Sequence, residues 1–234
     1  MWSGPRNLST AMMYAFAQRE DCAVWDEPFY ATYLAKTGLD HPMRDEIMAA
    51  GLTDPDAVIA GCTGPNPGGK PLFYQKHMTQ HMIPGIARDW IYDCTNVFLI
   101  RHPARVVASY AIKRENPVLD DIGFRQQAEL FDMICQSTGK APPVIDSHDI
   151  RTNPKASLQR LCAKINIPFQ DVMLTWPKGG NPADGVWASH WYGAVQASGG
   201  FANPEGALPK ITGKLKDVTD AAMVYYDQMR AHQI

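Results

Sequence analysis

Ser3-Gly4-Pro5-Arg6-Asn7-Leu8-Ser9-Thr10 stands directly before an amphipathic stretch in which Leu8, Met12, Ala15 and Phe16 repeat at helical spacing. Gly4 permits close backbone approach, Ser9 and Thr10 supply hydroxyls, and the amides that open a helix point outward at the positive end of its dipole. Residues 3–10 therefore read as an anion cradle with Arg6 inside it. The same residues suit an ordinary N-capped helix start, because Ser and Thr are favoured there. Only Met1 and Trp2 precede the loop, so a strand feeding it is either a stub or begins upstream.

A second turn has the same make-up. Asn96 to Ile100 reads as a strand, Arg101-His102-Pro103 follows, and Pro103 suits the first position of a helix that carries Val106, Val107, Tyr110 and Ala111. Ser109 falls roughly two turns into that helix. Ligands of open parallel sheets bind at the carboxyl edge of the strands, where Arg101 falls. Two turns with an arginine and hydroxyls each point to a ligand with two separated anionic groups. Taken singly, Arg101 is also compatible with a surface salt bridge.

Cys22 to Trp25, Leu72 to Gln75 and Pro143 to Asp146 are further short runs of the length found in buried parallel sheets, and helical stretches such as Leu158, Leu161, Cys162 and Ile165 lie between them. The alternation predicts an α/β fold with three layers, α/β/α, around a central, mostly parallel sheet. Gly61 to Pro71 reads as a mobile surface loop before a strand. Residues 175–209 read as a long loop with no helix of its own, carrying Trp176, Trp187, Trp191, Tyr192 and Phe201. With His190 among them, its aromatics either cover a site and exclude water or pack the loop onto the sheet. A helix at about 215–232 closes a single domain spanning 1–234 with no internal repeat.

Composition limits the partners. At 45% hydrophobic and 20% charged, 234 residues bury an ordinary core, which excludes a disordered or fibrous chain. Lys and Arg total 22 against 24 Asp and Glu, a net charge of -2, so neither nucleic acid nor an anionic membrane is an expected partner and any anion site is local. No apolar run nears the ~20 residues that cross a bilayer, and no basic flank leads into an apolar N-terminal segment; the expected location is cytoplasmic. The five cysteines are odd in number and never form C-x-x-C, which argues against a disulfide framework and a zinc knuckle.

G-P-R-x-x-S-T opening the first helix, with R-x-P-x-x-x-x-x-S after a later strand, resembles the two nucleotide-binding motifs of the sulfotransferases that use 3'-phosphoadenosine 5'-phosphosulfate (PAPS). Ile145-Asp146-Ser147-His148-Asp149, then Asn153-Pro154 and the Leu158 to Ile165 helix, is similar to a later segment of that family. Lys178-Gly179 with Asp184-Gly185-Val186-Trp187 resembles a divergent form of its late Lys/Gly phosphate loop. The resemblance implies a P-loop NTPase-like sulfotransferase fold, PAPS as sulfuryl donor, adenosine 3',5'-bisphosphate (PAP) as product, and no metal. By the same resemblance, Arg6, Asn7, Leu8, Ser9 and Thr10 surround the 5'-phosphosulfate, with Arg6 also stabilising the moving group, and Arg101 and Ser109 hold the 3'-phosphate. Lys178 and Gly179 belong to the donor site. The acceptor implied is a hydroxyl or an amine, and the lack of a basic surplus favours a small molecule over an anionic polysaccharide.

The base has two candidates. Asp26-Glu27-Pro28-Phe29 follows the second strand, and some branches of the family use a Glu there. Lys76-His77-Met78 follows the third and resembles a Lys-x-His ending with His as base and Lys assisting, although no residue separates Lys76 from His77. Glu27 is preferred, with His77 as rival and Lys76 assisting. The structural alternatives are a helix N-cap for Asp26 or Glu27 and a core histidine for His77.

Gly64 to Lys70 matches G-x-x-x-x-G-K, but Pro71 replaces the Ser/Thr that would ligate magnesium, and the segment precedes a strand. Val24-Trp25-Asp26-Glu27 likewise imitates a Walker B strand. A P-loop kinase using Mg-ATP is thus the runner-up, and an inactive nucleotide-binding relic of the fold is the third reading. His77 and His81 have H-x-x-x-H spacing without a third ligand, so no metal site is expected. A homo-oligomer is compatible with all of this.

Overall fold

The computed structural model describes residues 1–112 and 116–234. From the N-terminus, β1 (Trp2–Ser3) leads through a loop into α1 (Ser9–Ala17), followed by β2 (Cys22–Asp26), α2 (Tyr30–Thr37), α3 (Arg44–Ala50) and α4 (Pro55–Thr63). Next come β3 (Leu72–Met78), β4 (Phe98–Ile100), α5 (Pro103–Ala111), α6 (Phe124–Thr138), β5 (Val144–Asp146), α7 (Ser147–Thr152) and α8 (Pro154–Lys164). The short α9 (Ala188–Trp191) and α10 (Gly193–Gln196) precede the closing α11 (Lys214–Arg230). Helices alternate with parallel strands, the α/β class that the periodicity predicts. The chain packs as two compact units: Met1–Ser9, Thr95–Phe169 and Asn203–Ile234 form the first, and Thr10–Cys94 and Gln170–Ala202 the second.

In the first unit β4 lies between β1 and β5, in register Trp2↔Phe98, Ser3↔Leu99, Phe98↔Val144 and Ile100↔Asp146. Phe98, Leu99 and Ile100 are wholly buried, the continuous apolar run expected of a strand covered on both faces. Since β1 has only two residues, side chains hold it as well as the ladder. Trp2 is buried and donates from Nε1 to Asn96 Oδ1 at 2.7 Å, and the Gln127 amide of α6 donates to the Trp2 and Leu99 carbonyl oxygens at 3.2 and 2.9 Å. Helix starts follow their caps. His102 Nδ1 accepts from the Ala104 amide at 3.2 Å with Pro103 at the first turn of α5, Asp146 accepts from His148 at 2.8 Å, and Asn153 from Ala156 at 3.1 Å ahead of Pro154.

In the second unit β2 and β3 pair from Cys22↔Leu72 to Asp26↔Lys76. Tyr30, Tyr33 and Leu34 of α2 bury against Ile47, Trp187, Ala188 and Tyr192. Two expectations are corrected here. Gly61 is not loop but lies inside α4, whose start is set by Pro55 and the Asp54 cap and whose Val58 and Cys62 are buried; that is enough to carry the helix past a glycine. Residues 175–209 do contain helix: burial of Trp187, Ala188 and Tyr192 stabilises α9 and the turn into α10 despite a poor local composition.

A Cβ at Gly4 would run into the Ile122 carbonyl oxygen, which is backbone and has no rotamer with which to yield. Gly4→Ala is expected to lower the unfolding free energy by about 1–3 kcal/mol, read from denaturant melts.

Candidate functional site

Two turns that are far apart in sequence meet in the first unit. Arg6 and Leu8 have φ of 62° and 76°, in the left-handed region that non-glycine residues rarely enter. Strain of this kind is worth about 1–3 kcal/mol per residue and concentrates at ligand sites, and backbone of alternating hand turns successive amides toward a common anion. The Arg6 side chain reaches Ser109 of α5, with Nε to Oγ at 2.9 Å, and Arg101 donates to the Arg6 carbonyl oxygen at 2.5 Å. Arg6, Arg101 and Ser109 thus form one cluster. Burial and, after it, the charge of Arg101 push the Arg6 guanidinium below its ordinary value, a repulsion that an anion between them would relieve. Asn7 is buried, Ser9 is buried at the start of α1, and Leu8 and Thr10 are half-buried. Two guanidinium groups, a hydroxyl and a strained loop make a donor set that fits a phosphate ester.

Sequence reading missed the carboxylate beside them. Glu205 is ion-paired to Arg101, to Arg105 at 3.3 Å and to Arg151 at 2.9 Å, with 7% of its side chain exposed. Arg151 also donates to the Asn203 carbonyl oxygen at 2.8 Å, and Arg105 to that of Gly206, so three arginines clamp the segment 203–206. No motif signals this, because the arginines come from separate elements. The cluster keeps a positive surplus after Glu205 is counted.

The second unit holds the candidate base. Register places Asp26 opposite Lys76, and Glu27 leaves the strand with φ of 41°, its amide donating to the Lys76 carbonyl oxygen at 2.9 Å. Lys76 Nζ donates to Asp26 Oδ1 at 2.8 Å, to Glu27 Oε1 at 2.6 Å and to the Tyr192 hydroxyl at 2.5 Å. All four side chains are buried. Burial is the strongest influence on Asp26 and raises its carboxyl against the pull of Lys76, with the Glu27 charge adding to the rise. Burial also opposes the Lys76 ammonium, but Asp26 and Glu27 together push it above the ordinary lysine value, so it stays charged. Neither carboxylate caps α2, whose N-cap is Phe29.

His77 lies elsewhere. Strand alternation turns it away from Lys76. It is buried beside Phe29 and Trp90, with Nε2 3.0 Å from Gln75 Oε1, and burial lowers its pKa well below the usual histidine value. His77 belongs to β3 and His81 to the 3₁₀ turn after it, so their spacing is not that of one helical face. Lys178 and Gly179 are exposed in the second unit, where the Gly179 amide donates to Gln196 at 2.9 Å. Gly64 to Lys70 leads into β3 with the Lys70 ammonium on the Glu20 carbonyl oxygen, and no helix opens after it as a P-loop requires.

The chain matches the Sulfotransferase domain family over residues 1–233, and it belongs to that family. Two Arabidopsis thaliana proteins, Branched-chain-amino-acid aminotransferase-like protein 1 and protein 2, are 34% and 33% identical to it over 231 residues. The match covers 99% of this chain and 41% of each relative, so the chain spans about two fifths of the length of the curated relatives it matches. Among solved structures, the Sulfotransferase Domain from the Curacin Biosynthetic Pathway has the same fold, with a TM-score of 0.57 and 17% identity over 97% of this chain and 95% of that one.

Burial opposes ionisation of Glu205, but its hydrogen bond to Arg101 and the charges of Arg101, Arg151 and Arg105 hold the carboxyl below the ordinary range. A folded value below the unfolded one (about 4.3 for Glu) gives stability that is full above the unfolded pKa and lost as pH falls through the folded pKa. Glu205→Gln is therefore expected to lower the denaturant midpoint at about pH 7, with the gap to wild type closing as pH approaches about 3.

Proposed function

We propose that this chain transfers a sulfuryl group from PAPS to a hydroxyl or amine of a small-molecule acceptor, releasing PAP. The observation that carries this reading is the convergence of Arg6, Arg101 and Ser109, two arginines and a hydroxyl from motifs about one hundred residues apart, around a strained loop at a helix start. Membership of the sulfotransferase domain family supports the reaction class. PAPS supplies an activated sulfuryl group whose transfer needs an in-line acceptor, charge stabilisation and a base.

Arg6 stabilises charge on the moving group, and the residues 7–10 surround the 5'-phosphosulfate. Arg101 and Ser109 hold the 3'-phosphate, and Lys178 and Gly179 add to the donor site. Glu27 takes the acceptor's proton as the bond from sulfur to the acceptor oxygen or nitrogen forms and the bond from sulfur to the phosphate oxygen breaks. His77 is the rival base. Its burial beside Phe29 and Trp90 and its lowered pKa favour Glu27, one of whose oxygens accepts from Lys76. The reading includes a cytoplasmic location and no metal, nucleic-acid or membrane partner, and it is compatible with a homo-oligomer. Among the described residues no helix is long and apolar enough to cross a membrane.

PAP is expected to raise the melting temperature without magnesium, whereas a kinase would respond to Mg-ATP; a thermal-shift titration separates the two. Arg101→Ala is expected to weaken PAP binding by about tenfold or more by calorimetry. Glu27→Gln is expected to lower turnover of labelled PAPS by roughly 100-fold or more while PAP still binds. Full turnover in Glu27→Gln with a large loss in His77→Ala would move the base to His77.

A further inference from the structure

Tyr192 joins the buried charge cluster from the segment between α9 and α10. Its hydroxyl accepts from Trp187 Nε1 at 2.9 Å and from Lys76 Nζ at 2.5 Å, which uses both oxygen lone pairs. One proton remains to donate, and three carboxylate oxygens are in reach: Asp26 Oδ1 at 3.0 Å, Asp26 Oδ2 at 2.9 Å and Glu27 Oε1 at 3.0 Å. Lys76 cannot supply another, since its three protons already go to Asp26, Glu27 and Tyr192. Two carboxylates thus share a single hydroxyl proton.

From this geometry we infer that Tyr192 is a positioning residue for Glu27, its one hydroxyl proton divided between Asp26 and Glu27 so that Asp26 sets how strongly Glu27 holds a proton. The inference rests on the proposed role of Glu27 as base. Glu27 Oε1 is engaged by Lys76 and Tyr192, which leaves Oε2 to take the acceptor's proton. When it does, the Tyr192 hydroxyl turns fully to Asp26, and the cluster never holds a carboxylate without a donor.

The charged and titratable groups around the pair come from several elements. Lys76 of β3 faces both carboxylates. His81, in the 3₁₀ turn after β3, places Nε2 4.0 Å from Glu27 Oε2, and burial keeps it neutral. Tyr14 of α1 and Tyr74 of β3 lie within the field of Asp26, and the Gly185 amide donates to Asp26 Oδ2 at 3.2 Å. Tyr192 itself stays protonated, because burial and then the two carboxylates hold its phenol far above the ordinary range.

The test follows Glu27 ionisation directly, by carbon NMR of carboxyl-labelled glutamate assigned through loss of its signal in Glu27→Gln, alongside the pH profile of kcat/KM. Tyr192→Phe removes a donor from ionised Glu27 and is expected to raise its titration, and the acid limb of the rate profile, by about one pH unit. Asp26→Asn removes a competing acceptor and a neighbouring negative charge, and is expected to move both downward. In the Tyr192→Phe background the downward shift from Asp26→Asn is expected to shrink to the part due to the lost charge, and that non-additivity is the signature of a shared proton; additive shifts overturn it. Shifts of the same sign, or no shift in a variant that folds, overturn the inference. If wild type transfers no sulfuryl group from PAPS, the proposed function fails while the NMR titration still decides the proton sharing.

Discussion

Arg101 donates to the Arg6 carbonyl oxygen and to the Glu205 carboxylate, so one guanidinium at the end of β4 ties the loop after β1 to the coil before α11. A rigid planar fork with five donors can serve both partners, where a lysine could offer only a point charge. The loop needs this tie, since a two-residue β1 supplies few ladder hydrogen bonds and the backbone at Arg6 and Leu8 lies in a costly region. Trp2, Gln127 and the close approach of Gly4 to Ile122 complete the support. Bracing of this kind is what preorganised recognition of an anion requires.

The second unit poses the opposite electrostatic problem. Asp26, Glu27 and Lys76 bring two carboxyl groups and an ammonium into the interior, where desolvation costs several kcal/mol per ion unless partners are well placed. Parallel register aligns Asp26 with Lys76, and the turn at Glu27 brings the second carboxylate to the same ammonium. Tyr192, Trp187 and the Gly185 amide supply the remaining hydrogen bonds. An apolar cluster of the same volume would be the cheaper core, so the retained charges point to chemistry more than to stability.

Much of the fold was legible because its signals are local. Apolar runs marked β2 to β5, and Pro103 announced the start of α5 as its first helical residue. The exceptions share a cause. Gly61 in α4 and the helices α9 and α10 defy local composition because burial of Cys62, Trp187 and Tyr192 outweighs propensity, and burial is not visible in a window of sequence. The site divides in the same way. Arg6, Ser9, Arg101 and Ser109 stand in contiguous motifs; Arg105, Arg151 and Glu205 carry no motif, and neither does Tyr192, since each acts through partners distant in the chain.

The amino-acid sequence by itself determined the α/β alternation, the two arginine-bearing turns and the membership that their motifs announce, because each of these is written in residues close enough together to set helix caps, strand faces and loop hands. Tertiary structure alone decided that Arg6 meets Ser109, that three arginines gather on Glu205, and that Glu27 shares Lys76 and Tyr192 with Asp26 while His77 turns away. The reason is physical: hydrogen bonds and ion pairs form between groups brought within about 3 Å, and only the folded path of the backbone brings together residues a hundred positions apart.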